Sequence, residues 1–249
     1  MKRFLTFFSI AGFALSTLSS CENEPETGEL YLDTQYVWAM SGADFELGKV
    51  LYQPMSGDTL TFDTFKQYLS NIKLHNVDGS TWAVEESYYL LDASDSSSLS
   101  IHITGVPVGE YDGMDITFGV DSARNVSGVQ TGALDPANEM FWTWNSGYIM
   151  VKAEGTSPQS ASNVFKYHLG GFTGDNKVVT TRTFAFPNSE VVNLDGSTQP
   201  HVILKVNPAK LFHTYGSVSN GEIIMAPGEG AGIMSGDFFG GAFLSEVLY

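Results

Sequence analysis

DTLTFDTFKQYLSNIKL, residues 58–74, decides the fold, because it satisfies two periods at once. Phe62, Phe65, Leu69 and Ile72 fall at helical spacing, while Tyr68, Ile72 and Leu74 partly fit the two-residue spacing of a strand. The residues that follow settle the choice. Asn76, Asp78 and Gly79 form a natural hairpin turn, so the stretch is read as a strand running into a turn. Outward from it, apolar and polar residues alternate cleanly over 99–103, 114–120 and 202–206, each a half-buried strand with turn residues on its flanks. The 26 glycines are scattered, as short strands with many turns require. One short helix is expected, with Asn207 as N-cap and Pro208 at its first position ahead of Ala209-Lys210-Leu211-Phe212. The expected fold class is all-β: a single Greek-key β-sandwich or partly closed barrel with long loops and one short helix.

The chain has 249 residues, a formal net charge of -16 and 43% hydrophobic residues against 16% charged. It can bury a sizeable core and is not disordered. A polyanion repels phosphate backbones, so nucleic acid is excluded as a partner. One cysteine allows no internal disulfide, no cysteine-based zinc site and no iron–sulfur cluster. No linker or solenoid-length repeat divides the chain, so residues 31–249 are read as one domain.

Residues 1–20 read as an address. Lys2 and Arg3 precede an apolar run over 4–15 and a small-residue run over 16–20, just before Cys21. That is a secretory signal, too short to span a membrane. Its Leu18-Ser19-Ser20-Cys21 ending resembles a bacterial lipobox, in which the cysteine is lipidated and the chain is cut before it. Dual acylation then holds the mature protein on a membrane without a spanning helix. Cleavage removes two cations and no acids, taking the charge from -16 to -18. An anionic bilayer would repel such a body, so the lipid alone anchors it. Residues 21–30 are polar and acidic and read as a flexible tether. Acids straight after the lipidated cysteine resemble the surface-export signal of Bacteroidetes lipoproteins. The expected location is the outer membrane, on its periplasmic face or at the cell surface.

No Gly-rich phosphate loop, nucleophile elbow or HExxH helix is present, so no enzyme template applies and no catalysis is expected. The aromatic run Met140-Phe141-Trp142-Thr143-Trp144 stands out, because in a strand both tryptophans face one side. Packing is the ordinary role of such a pair. Further on, His168 sits in the apolar run Phe165-Lys166-Tyr167-His168-Leu169 ahead of Gly170-Gly171. A lone histidine there is more often a hydrogen-bonded core residue than a ligand. His75, His102, His201 and His213 lack metal-ligand spacing. Asp121 and Asp135 form no EF-hand ladder; a looser calcium site stays open, against turn-forming roles and an Asp121–Arg124 ion pair.

A wider succession carries a resemblance. Gln67 to Leu74, Asp78-Gly79, Tyr88 to Asp92, Gly119-Val120-Asp121 with Asn125 and Gly128, Gly132 to Pro136, Met140 to Met150, Lys152 to Gly155 and Tyr167 to Gly171 occur in family order. Together they resemble the MbnP-like copper-binding family over nearly the whole mature chain. The resemblance implies a secreted, mostly β protein that binds copper as Cu(I), in which a partner dihaem enzyme of the MauG type oxidises a tryptophan to kynurenine. Carried over, it points to His168 as a ligand and to Trp142 or Trp144 as the modified residue. Members often place a histidine in the first strand. Here Tyr36-Val37-Trp38 stands there, leaving Met140, Met150, His75 or His102 as substitutes. The rival reading is a surface interaction lipoprotein of the same fold that binds a protein or glycan without metal.

Overall fold

The computed structural model describes residues 26–38, 43–143 and 146–249; residues 1–25, with Cys21, and Trp144 lie outside them. Among the described residues the chain forms β1 (Thr27–Trp38), β2 (Ala43–Asp44), β3 (Val50–Tyr52), β4 (Thr59–Asn76), β5 (Thr81–Ala83), β6 (Tyr88–Asp92), β7 (Ser100–Pro107) and β8 (Gly109–Phe118). Helix α1 (Ser122–Asn125) follows, then β9 (Phe141–Thr143), β10 (Gly147–Thr156), β11 (Val164–Gly170), β12 (Thr180–Ala185), β13 (Val192–Leu194), β14 (His201–Val206) and β15 (Ile223–Ile224). Helix α2 (Glu229–Gly240) and β16 (Phe243–Leu248) close the chain.

The ambiguous opening stretch is a strand, and it organises the larger sheet. Along one edge of β4 run β10 and then β8; along the other run β3, β6 and β5. The hairpin at Asn76–Gly79 turns β4 into β5 as its Asn, Asp and Gly residues dictate, with Gly79 at φ +87°. A smaller sheet runs β16-β14-β1-β2, with β7 paired to β1. Its centre is β1, which lies parallel to β14 and antiparallel to β7.

Strict alternation explains how the two sheets share a core. Leu30, Leu32, Tyr36 and Trp38 of β1 point inward, and Tyr36 and Trp38 meet Phe65 and Phe62 of β4. Their rings pack edge to face, Tyr36 on Phe65 at 5.0 Å and Trp38 on Phe62 at 5.7 Å. Each buried phenylalanine contributes about 2–3 kcal/mol, so this aromatic cluster is the main adhesive between the sheets. Strand β1 also takes in Thr27–Leu30, residues that the sequence reading assigns to the tether.

The expected short helix is present as a 3-10 turn over Pro208–Phe212, with Asn207 Oδ1 accepting the Ala209 N–H at 3.0 Å. The sequence reading missed α2, which packs on that turn and on β11. Gly230, Gly232, Gly236 and Gly240 make α2 a poor intrinsic helix. Burial of Ala231, Met234, Phe238 and Phe239 offsets that cost.

Candidate metal centre

On β11, Phe165, Tyr167 and Leu169 face the core, so His168 projects from the opposite face, at 8% exposure. The neighbouring β10 places Lys152 level with His168 and Glu154 two residues further along the same face. Glu154 reaches back, and its Oε1 lies 2.5 Å from His168 Nε2. A histidine that donates one ring N–H to a carboxylate has its tautomer fixed and its other nitrogen, here Nδ1, left with a lone pair. Burial pushes the Glu154 carboxyl up, but the His168 hydrogen bond and the charges of Lys152 and Lys166 hold it below its ordinary value. Lys152 Nζ also lies 3.7 Å from Glu139 Oε2, and on β4 Lys66 pairs with Asp92 at 3.0 Å.

Trp142 comes to this face through Gly170. A Cβ at Gly170 would lie 2.5 Å from Trp142 Cζ3, 2.7 Å from the Tyr148 carbonyl and 2.9 Å from Trp142 Cη2. The indole therefore lies on the glycine. Gly170 follows His168 by two residues on one strand face, a step of ~7 Å. The structure thus brings Trp142 beside the His168–Glu154 pair.

The other quoted motif residues prove to be scaffold for the Trp142 segment. Asn125 Nδ2 donates to the carbonyls of Val120 and Asp121, and its Oδ1 accepts the Tyr148 N–H at 2.8 Å. At Gly147, φ is +71° and a Cβ would lie 2.1 Å from Asn125 Oδ1, so only glycine passes there. Tyr68 and Tyr148 cross edge to face at 5.7 Å and donate their hydroxyls to the carbonyls of Ala133 and Leu134. Met150 Sδ accepts the Val120 N–H at 3.1 Å, which ties up that thioether. Met140 is fully buried in the core, and its carbonyl accepts the Ile149 N–H at 2.8 Å.

His75 stands elsewhere. It is nine residues along β4 from Lys66, the residue level with Lys152, a span of ~30 Å. There its Nε2 pairs with Asp115 at 3.0 Å. His102 pairs with Glu29 and His201 with Asp33 on the smaller sheet. Trp144 and Cys21 lie outside the described residues. No cluster of three or more His, Cys, Asp or Glu occurs among the described residues.

Both calcium candidates act as caps. Asp135 accepts the Ala137 N–H at 2.8 Å. Asp121 Oδ1 accepts the Arg124 N–H at 3.1 Å, while its Oδ2 takes Asn71 Nδ2 and the Tyr88 hydroxyl, each at 2.7 Å. The expected Asp121–Arg124 ion pair is not the one formed: the Arg124 guanidinium pairs with Glu86. The sequence reading also missed Glu154. Its one signal was the Lys152-Ala153-Glu154 alternation, which puts both charges on the face that β11 gives to His168.

For copper, the described donors fit a soft, low-coordinate ion only in part. His168 Nδ1 supplies one imidazole nitrogen, and an unmodified Trp142 supplies none, since indole N–H is a donor only. Oxidative opening of the indole would add an aniline amine and a ketone beside that imidazole.

An all-β chain of two curled sheets, with a carboxylate-braced histidine and a tryptophan on one outer strand face, defines a compact class of β protein. The MbnP family model matches residues 27–226, and the chain belongs to that family. Among solved structures it is similar to MbnP from Methylosinus trichosporium, at 16% identity and a TM-score of 0.51, covering 76% of this chain and 78% of that one. That likeness is one of fold. No curated protein matches the chain.

Proposed function

We propose that this protein is an extracytoplasmic copper-binding lipoprotein, anchored to the outer membrane through Cys21, that sequesters or hands on Cu(I) and catalyses nothing itself. Family membership over residues 27–226 supports the copper reading. The observation that carries the site is the Trp142 ring lying on Gly170, two residues from a histidine whose Nε2 is braced by Glu154. A dihaem enzyme of the MauG type supplies the oxidant. Cleavage of the indole C2–C3 bond adds two oxygen atoms, and hydrolysis releases formate, leaving kynurenine with a free aromatic amine. That amine and His168 Nδ1 form the donor pair, with Glu154 fixing the imidazole. Cu(I) accepts such a sparse two-nitrogen site more readily than ions that demand more ligands.

The test is Cu(I) titration of the mature domain co-expressed with the dihaem enzyme, beside a His168→Ala variant. The reading predicts one tight equivalent that the variant loses. Equal affinity in both proteins would refute it.

A further inference from the structure

A second candidate site lies between the two sheets, where an edge of each faces the other without pairing. Among the described strands β7 has β1 as its one partner and β5 has β4. Between them opens a cleft of about 480 Å³, lined by Trp82, Glu85 and Tyr89 on one side and by His102, Thr104 and Gly105 of β7 on the other.

One wall of this cleft is held rigid. His102 stacks on Tyr31 at 4.4 Å with their planes 3° apart, and Tyr31 stacks on His201 at 4.5 Å and 6°. The three rings come from β7, β1 and β14 at one register level. Glu29 holds His102 Nε2 at 2.7 Å and Asp33 holds His201 Nδ1 at 2.7 Å. One face of the His102 ring is covered by Tyr31, and the residue lines the cleft beyond the edge of β7. A free strand edge offers N–H and C=O groups in the spacing of another strand. Ring faces and a carboxylate beside it offer side-chain recognition.

We propose that this cleft binds an extended, basic peptide segment of a partner protein as an added strand on β7. Glu85 is exposed in the cleft wall, Glu29 stands behind His102, and the chain carries a net charge of -16, so the charge complement is cationic. Arginine suits the walls best, because its planar guanidinium stacks on Trp82 or Tyr89 while pairing with Glu85. The proposal does not depend on the copper reading. It supplies a place for a protein partner, with a lining that does not include His168, whichever cargo the chain carries.

The experiment uses the mature chain and three fluorescein-labelled eight-residue probes: an alternating Arg/Thr peptide, the same peptide with Glu for Arg, and the Arg peptide N-methylated at alternate residues. Cellotetraose is a fourth probe. The proposal predicts saturable binding of the Arg peptide, weakened by salt, and at least tenfold weaker binding of the acidic and N-methylated ones. Glu85→Lys, at an exposed position, should cut affinity for the Arg peptide at least tenfold. Amide exchange over Ile103–Gly105 should slow in the complex. Equal binding of the N-methylated peptide would leave charge alone and overturn strand addition. Binding of cellotetraose without the peptide would make the cleft a glycan site and overturn the proposal.

Discussion

At Asp121 one carboxylate serves three donors, Asn71, Tyr88 and the first turn of α1, and so ties β4, β6 and the segment leading to Trp142 together. Burial pushes its carboxyl up, but those hydrogen bonds hold it below the ordinary carboxylate value. A depressed carboxyl contributes stability that is complete above its unfolded value and is lost as pH falls through the folded one. Asp121→Ala should therefore cost about 2 kcal/mol at neutral pH, with the gap to the parent closing in acid; urea melts at several pH values will show it. Tyr88 is pushed up to about 12 by burial and then by Asp121, so its contribution fades only in strong alkali. At His168, Glu154→Gln tests the brace: Cu(I) affinity should fall roughly 10–100-fold while the thermal midpoint stays within a few degrees. An unchanged affinity would make Glu154 a bystander. His168 stood out in the sequence as an imidazole in an apolar run, but only the family resemblance made it a ligand candidate. Glu154 did not stand out, since a carboxylate on an alternating strand looks like solvated surface until the register with β11 is known.

Among the elements, β4 and α2 mark the two ends of legibility. The strand could be read because its turn residues are local, and turn chemistry acts within a few positions. The helix could not, because four glycines oppose it locally and only burial of Phe238, Phe239 and Met234 against distant elements holds it. Gly236 is exposed within α2 and has open space where a Cβ would go. Gly236→Ala should thus stabilise the protein by about 0.5–1 kcal/mol, read from denaturant melts; a loss of stability would mean that α2 is not a helix there. Gly170→Ala is the reverse case. Its Cβ would collide with Trp142 and the Tyr148 carbonyl, so the indole must move. Near-UV circular dichroism should lose the Trp142 signal, with a cost of about 1–3 kcal/mol. An unaltered spectrum would place that ring elsewhere.

For the whole molecule, family order along residues 67–171 carried more than any single motif, and several of those residues support the strands that present Trp142 and His168. Asn125, Gly147, Tyr68 and Tyr148 are joined to that segment by hydrogen bonds or by close approach. The separation of His75 from His168 was not visible in sequence, because it depends on how far β4 extends past β10. The copper reading turns on an inert indole on this face becoming a nitrogen donor beside His168. Intact mass of the mature protein from its native host, followed by fragment mapping across residues 140–152, is the deciding measurement. One tryptophan, Trp142 or Trp144, should have gained an oxygen and lost a carbon, as kynurenine requires. Two unmodified tryptophans in protein that nonetheless carries copper would contradict that donor role.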